Sequence, residues 1–154
     1  MGTLKDALSR CTLIGIDTAP FIYLFERHPQ FLPMSECIVS RCDDPYDPLQ
    51  AITSVITVTE VTVKPLQLGR EYIASAYERR LTRQRGLTLV PVDTAIAVGA
   101  ARLRARYGLP VPDAVQLATA VAASCDLFVT NDSGLRRVTE IPVLVLSDYL
   151  PPHP

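Results

Sequence analysis

The sequence predicts an α/β fold, a three-layer α/β/α sandwich with a mainly parallel central sheet. Short apolar runs recur along the chain, and stretches with helical periodicity separate them. Strands that alternate with helices of ten or more residues pair in parallel through right-handed crossovers. The length of 154 residues and the hydrophobic fraction of 48% suit one domain with a substantial core. We therefore expect a single domain over residues 1–150 and a short proline-rich tail over 151–154.

The first half of the chain opens with the apolar run LIGI at residues 13–16, which predicts a strand that ends at Asp17. A proline suits the first turn of the helix that follows, and residues 33–41 predict a second helix. The run DDPYDP then predicts an acidic, exposed loop. The β-branched segment 51–63 is long for one strand, so we interpret it as a strand that turns into a helix near Ser54.

The second half continues the alternation. Residues 69–84 have helical spacing, and we expect Gly86 to end that helix as a C-terminal cap. LTLVPV predicts a strand. We expect Asp93 to be the N-cap of the next helix and Gly108 to end that helix. PVPDAVQLATAVAASC predicts a helix packed through one stripe of mostly small side chains: Ala114, Leu117, Ala118, Val121, Ala122 and Cys125. DLFVT and VLVLS predict the last two strands.

Four acidic residues fall close to predicted strand ends or helix starts. Asp17 and Asp132 follow strands, Asp113 lies in the first turn of a helix, and Glu60 lies in the helix after the second strand. Ligands of open parallel sheets bind beyond the carboxyl ends of the strands. Four carboxylates in one cleft repel one another unless cations neutralise them, and hard oxygen ligands favour Mg²⁺ or Mn²⁺. The pattern predicts a metal site suited to phosphoryl transfer, with water as the nucleophile.

Other α/β enzyme classes lack their motifs in this chain. A haloacid-dehalogenase-type phosphatase or a response-regulator receiver needs a late lysine, whereas the only lysines are Lys5 and Lys64. No glycine-rich dinucleotide or P-loop motif occurs, and no Ser or Cys stands beside a His at catalytic spacing. Simple helix capping by the aspartates, with Glu60 as a solvated helix residue, is the alternative to a metal site.

Four segments resemble the PIN-domain nucleases and, within that family, the VapC-type toxins of bacterial toxin–antitoxin pairs. IDTAPFIYLFERHP resembles the segment with a strand-ending Asp and a small hydroxyl residue, and SVITVTEV resembles the segment that carries a Glu. LPVPDAVQLATA and LFVTND resemble the segments of the two later acids. The resemblance implies a PIN-like fold whose metal ligands are Asp17, Glu60, Asp113 and Asp132.

The same resemblance implies an activity and partners. The protein is expected to be a Mg²⁺-dependent endoribonuclease, with Mn²⁺ as a possible substitute, that a cognate antitoxin protein neutralises and that forms a homodimer. Thr18 and Thr130 are expected to orient the ligands. A general or DNA-directed metal-dependent nuclease, or a catalytically degenerate α/β interaction module, is the alternative.

Charge is balanced in total but segregated along the chain. Sixteen acids and fifteen bases give a net charge of -1, which by itself argues against a nucleic-acid partner. However, residues 36–60 carry one base and five acids, whereas residues 64–106 carry nine bases and three acids. The basic segment is either an RNA-backbone surface or a solvated helix face. Arg136 and Arg137, just beyond Asp132, are candidate contacts for a substrate phosphate.

The N-terminal residues and the cysteines bear on the cell compartment. Charged residues interrupt the first 25 positions, and no run approaches the ~18 apolar residues of a membrane span. The four cysteines contain no CxxC pair, and the two histidines have no metal-ligand spacing. We expect a cytoplasmic protein with reduced thiols and no membrane association.

Overall fold

The computed structural model describes residues 2–151, which contain one sheet of five parallel strands between two helical layers. The strands are β1 (Leu13–Ile16), β2 (Gln50–Ser54), β3 (Leu87–Val90), β4 (Leu127–Thr130) and β5 (Val143–Val145). Their order across the sheet is β3-β2-β1-β4-β5, and every pairing is parallel. The predicted α/β/α sandwich is thereby confirmed. Of the predicted tail, residues 152–154 lie outside the described residues.

Seven α-helices connect or flank the strands within residues 2–151. They are α1 (Leu4–Leu8), α2 (Thr18–Phe25), α3 (Leu32–Asp43), α4 (Ile56–Gln67), α5 (Glu71–Arg83), α6 (Thr94–Tyr107) and α7 (Val111–Ala122). Two short 3₁₀ helices follow, Ser133–Arg137 and Leu146–Tyr149. Segment 51–63 is the predicted strand followed by a helix, because β2 ends at Ser54 and α4 begins two residues later. None of the helices in this part of the chain is long and apolar enough to cross a membrane.

Two apolar cores lie on opposite faces of the sheet. Phe21, Ile38 and Leu81 belong to the core beneath α2, α3 and α5, whereas Leu103 and Leu117 belong to the core beneath α6 and α7. Burial of such large side chains stabilises the fold by roughly 1.5–3 kcal/mol each. The two cores hold the sheet rigidly between the layers, so that the residues at its carboxyl edge have a fixed platform.

Helix α7 is buried on more of its surface than the single stripe that the sequence predicts. Every residue from 114 to 120 is buried, whereas Val121 is 38% exposed and Ala122 is also exposed. The helix lies between the sheet and α6, which together cover more than one of its faces. It packs so closely that a Cβ on Gly15 of β1 would lie 2.6 Å from the Cβ of Ala120. The one-stripe prediction is therefore wrong at Val121 and Ala122, and Cys125 lies beyond the helix.

Gly86 does not cap α5, contrary to the prediction. That helix ends at Arg83 and is followed by the extended residue Gln84. Gly86 instead has a φ of 68° and faces α3, where an added Cβ would lie 2.1 Å from the carbonyl oxygen of Cys42. The glycine is required by a left-handed turn and by a close backbone approach.

The other predicted caps are correct, and one helix was not predicted. Asp93 accepts a hydrogen bond from the Ile96 N–H, and Gly108 ends α6 with a φ of 67°. Helix α1 begins with a capping box in which Thr3 and Asp6 bond reciprocally. The Thr-x-x-Asp spacing of that box is the sequence signal for α1.

Candidate functional site

The four predicted acidic residues lie at the carboxyl edge of the sheet. Asp17 directly follows β1, and Asp132 lies two residues after the end of β4. Asp113 is the third residue of α7, and Glu60 is the fifth residue of α4. Because β1 and β4 are adjacent parallel strands, their ends bring Asp17 and Asp132 to the same place. Asp17, Glu60 and Asp113 are half-buried, whereas Asp132 is exposed.

Hydrogen bonds to both carboxylate oxygens hold Asp17 in place. Oδ1 accepts from the Thr18 N–H at 2.8 Å, as an N-cap of α2, and Oδ2 accepts from the Thr130 hydroxyl at 2.7 Å. The Asp17 N–H donates to the Val129 carbonyl at 2.9 Å. The capping interpretation of Asp17 is therefore correct, and the cap also orients the carboxylate toward the edge of the sheet.

Thr130 connects two of the acidic residues. Its hydroxyl donates to Asp17 and accepts from the Asp132 N–H at 3.1 Å. Asp132 in turn accepts from the Gly134 N–H at 2.8 Å and so caps the first 3₁₀ helix. Thr130 is fully buried, which keeps this bridge away from competing water. The predicted Thr130 thus bonds the carboxylate of Asp17 and the backbone of Asp132.

Burial and mutual repulsion raise the pKa of three of these carboxyl groups. Desolvation is the largest cause of the raised pKa of Asp17, Glu60 and Asp113. The charge of Asp132 further raises the pKa of Asp17 and Asp113, and the charge of Asp17 raises that of Glu60 and Asp113. A nearby carboxylate raises a pKa because two like charges at short range are unfavourable. The four groups therefore share one electrostatic neighbourhood.

Capping does not explain Asp113 or Glu60. Among the described residues, the Asp113 side chain forms no hydrogen bond within 3.5 Å and no ion pair, and α7 has no side-chain cap. Glu60 forms no ion pair either, and its side-chain partner is the Thr18 hydroxyl, which lowers its pKa against the larger effect of burial. A half-buried carboxylate without a partner is costly for the fold. Asp113 therefore has no structural partner, and neither Asp113 nor Glu60 accepts a backbone N–H as Asp17 and Asp132 do.

A buried polar junction behind the site was missed in the sequence. Gln116 is 2% exposed, and its Nε2 donates to the hydroxyls of Thr57 at 2.7 Å and Thr18 at 3.2 Å. Its Oε1 accepts from the Ser54 N–H at 3.0 Å. Gln116 thus joins the end of β2 to the first turns of α2 and α4, one helical turn beyond Asp113. A lone amide within the apolar run AVQLATAVA was the available signal.

The donor chemistry of the four acids fits a hard divalent cation, although their side chains do not form a closed cage. Within residues 2–151, no three His, Cys, Asp or Glu side chains converge as a complete metal site. Four carboxylates that form no ion pair with a basic residue are nevertheless the oxygen-rich set that Mg²⁺ and Mn²⁺ prefer. The observation that supports the fit is that Asp113 is half-buried with no partner, and that Glu60 is half-buried with only the Thr18 hydroxyl as a partner.

The remaining predicted residues lie close to this edge. Thr18 is 3% exposed and belongs to the junction at Gln116. Arg136 forms an ion pair with Asp148, whereas Arg137 forms none among the described residues. Arg137 is therefore the freer of the two predicted phosphate contacts.

Three solved structures share the fold of this chain. VapBC2 from Rickettsia felis, bound to a DNA fragment from its promoter, has a TM-score of 0.66 at 12% identity over 86% of this chain and 98% of that one. A toxin–antitoxin complex from Klebsiella pneumoniae has a TM-score of 0.62 at 22% identity, over 87% of this chain and 97% of that one. FitAcB from Neisseria gonorrhoeae has a TM-score of 0.59 at 18% identity, over 88% of this chain and 98% of that one.

Sequence comparison identifies the family. A search of curated proteins finds no match. The PIN domain family matches residues 14–141, a range that contains all four acidic residues. The chain therefore belongs to the PIN domain family, which is a family of nucleases.

Proposed function

We propose that this protein is a metal-dependent endoribonuclease that acts as the toxin of a toxin–antitoxin pair. The observation that carries the proposal is the group of four carboxylates at the carboxyl edge of a PIN domain, none of which pairs with a basic residue of the described chain and three of which have a raised pKa. Half-buried carboxylates that repel one another destabilise the fold, and a bound cation would offset that repulsion.

Asp17, Glu60, Asp113 and Asp132 are the proposed ligands of Mg²⁺, with Mn²⁺ as a substitute. When bound, the ion lowers the pKa of water and offsets negative charge at the scissile phosphate. The protein supplies position. The Thr130 hydroxyl bonds the Asp17 carboxylate at 2.7 Å and the Asp132 N–H at 3.1 Å, so one side chain connects the two proposed ligand residues.

The other residues orient the ligands and the substrate. Thr18 anchors the start of α2 through its N–H to Asp17 and through its hydroxyl to Gln116. Arg137, and Arg136 when released from Asp148, are the proposed contacts for a phosphate beside the cleaved bond. A guanidinium group suits this task because its N–H groups match two phosphate oxygens.

The proposed partners are RNA, a cognate antitoxin protein and a second copy of the chain in a homodimer. Support for an antitoxin comes from the structural relatives, which include toxin–antitoxin complexes. Support for a protein partner also comes from apolar side chains that α4 and the following turn leave exposed: Val63, Leu66 and Leu68. Exposed apolar groups in one segment are typical of protein interfaces.

Cleavage of RNA tests the activity. We expect wild-type protein to cut RNA with Mg²⁺ or Mn²⁺, and to lose activity in EDTA or on Asp113→Asn or Glu60→Gln. The matched control is Asp93→Asn, since Asp93 also follows a strand but caps α6, a role that Asn fills equally well. We expect this control to stay active.

Two results would contradict the proposal. The first is RNA cleavage that persists in EDTA or in Asp113→Asn, because no metal ligand would then be needed. The second is faster cleavage of DNA than of RNA of the same sequence. For the toxin assignment, expression should arrest bacterial growth, and co-expression of a short protein encoded beside the gene should restore it.

A further inference from the structure

A second charged feature lies at the opposite edge of the sheet. A cavity of about 430 Å³ opens where the end of α5 meets the end of α3, and four arginines line it: Arg79, Arg80, Arg83 and Arg85. We refer to this cavity as the arginine pocket. Arg83 is the last residue of α5, and Arg85 lies just before the amino end of β3. The pocket is therefore remote from the carboxylates, which lie at the carboxyl edge.

The positive charge of the arginine pocket is not neutralised within the fold. The Arg80 guanidinium lies over the Phe25 ring at 4.5 Å from its centroid. Arg79, Arg83 and Arg85 form no ion pair and no side-chain hydrogen bond in residues 2–151. In contrast, Arg41, Arg106 and Arg136 pair with acidic side chains: Asp47, Glu140 and Asp148.

Only one carboxylate of the described chain lines the pocket, and it does not pair with an arginine. Asp43 accepts a hydrogen bond at 3.5 Å from the side-chain amide of Gln84. The helix dipole stabilises an arginine at the C-terminus of a helix, which accounts for Arg83. The dipole does not account for Arg85, which lies outside the helix, or for Arg79, which lies one turn earlier. The pocket therefore holds more positive charge than the helix requires.

We propose that the arginine pocket binds backbone phosphates of the RNA substrate at a distance from the cleaved bond. This inference rests on the proposed function. Guanidinium groups bind phosphate through paired N–H donors, and a nucleic acid presents one phosphate per nucleotide. An acidic protein segment would also seek apolar contacts, but Ala76 is the only apolar side chain in the lining within residues 2–151. The lining thus favours a sugar–phosphate backbone over a protein.

The position of the pocket determines which kinetic quantity it affects. Because the pocket lies at the far edge of the sheet, it cannot contact the scissile phosphate. It therefore contributes to the binding of a long or folded RNA and not to the chemical step. Loss of the pocket should raise KM for a long RNA, leave kcat unchanged, and leave a short oligonucleotide unaffected in both.

The test compares two triple variants that lose the same charge. The pocket variant is Arg79→Gln, Arg83→Gln and Arg85→Gln. The control is Arg27→Gln, Arg70→Gln and Arg102→Gln, at exposed arginines that also form no ion pair in the described part of the chain. Binding of labelled transfer RNA is measured in EDTA over a range of salt, and cleavage of transfer RNA and of a hexanucleotide is measured with Mg²⁺. Thermal melts verify that both variants are folded.

We expect the pocket variant to bind transfer RNA about tenfold more weakly, with a salt slope smaller by roughly 2. The control variant should lose less than about threefold. Asp43→Asn should act in the opposite direction and tighten binding, because it removes the one negative charge in the described lining. The hexanucleotide should be cut at the wild-type rate by every variant.

Equal weakening by the two triple variants, while wild-type protein still cuts RNA, would overturn the inference alone. A second result would also overturn it: the pocket variant binds RNA as tightly as wild-type protein but no longer binds polyglutamate, which wild-type protein does bind. That result would assign the pocket to an acidic protein. Wild-type protein that binds transfer RNA through the pocket but cuts no RNA would instead overturn the proposed function.

Discussion

The buried junction at Gln116 gives a stability prediction whose size follows from its hydrogen bonds. Gln116→Leu replaces the amide with an apolar side chain of similar volume and removes the acceptor of the Ser54 N–H, 3.0 Å away. The hydroxyls of Thr57 and Thr53 keep each other as partners at 2.6 Å. One buried N–H is therefore left without an acceptor.

A buried polar group left unpaired costs about 1–3 kcal/mol, so we expect Gln116→Leu to lower the free energy of unfolding by about 2 kcal/mol. For a chain of this size, that loss corresponds to a Tm lower by roughly 4–8 °C. Thermal and urea melts of the metal-free protein, followed by circular dichroism, measure both quantities.

The matched control is Thr119→Val on the same helix. Thr119 is 1% exposed, and its hydroxyl donates only to the Val115 carbonyl of its own helix. Its removal leaves no group unpaired, so we expect a change below about 1 kcal/mol. If Gln116→Leu melted no lower than Thr119→Val, the junction would not be the stabilising element that its geometry indicates.

Three further predictions concern the site and the backbone. Asp113→Asn should leave the metal-free protein at least as stable, because no side-chain hydrogen bond is lost and the repulsion from Asp17 and Asp132 falls. The same change should abolish part of the rise in Tm that Mn²⁺ causes. A free energy of unfolding lower by ~0.5–2 kcal/mol both with and without metal would instead indicate that Asp113 is a helix cap. The raised pKa values mean that Asp17, Glu60 and Asp113 retain protons in the folded state that the unfolded chain loses above about pH 4, so their contribution to metal-free stability falls as pH rises through the folded pKa values, whereas carboxyl groups with lowered pKa values act in the opposite direction at lower pH. Urea melts of wild-type protein and Asp113→Asn at several pH values above about 4 test this, and an equally steep fall in the variant would contradict it. Gly86→Ala should lower the free energy of unfolding by at least about 2 kcal/mol in urea melts, because it adds left-handed strain and a contact with the Cys42 carbonyl. Gly69, which has a φ of 67° and nothing within 4 Å of an added Cβ, is the control, and Gly69→Ala should cost only the ~1–2 kcal/mol of strain. Equal losses in the two variants would show that the contact with Cys42 is unimportant.

Local patterns in the sequence were sufficient for most of the fold. Apolar β-branched runs and helical periodicity depend on neighbours a few residues away, so β1, β2 and α4 were predictable from short segments. The prediction failed where the answer depends on distant residues. Gly86 is required by the Cys42 carbonyl 44 positions earlier in the chain, and no local pattern records that approach.

The candidate site divides in the same way. That Asp17, Glu60, Asp113 and Asp132 would lie at one edge of the sheet was predictable, because carboxyl ends of parallel strands share one edge of a sheet. Which of them lack ordinary partners was not, since an N-cap and an unpaired acid look alike in a sequence. The structure separates them: Asp17 and Asp132 accept backbone N–H bonds, whereas Glu60 and Asp113 do not.

The alternation of strands and helices, the order of the four acids and the segregation of charge follow from the amino-acid sequence alone, because each of these is a property of short segments. The folded packing is what joins Gln116 to the elements behind the site and what places three unpaired arginines of the basic segment around one cavity. Both depend on side chains brought together from distant parts of the chain, where burial and the absence of a partner are properties of the packed molecule.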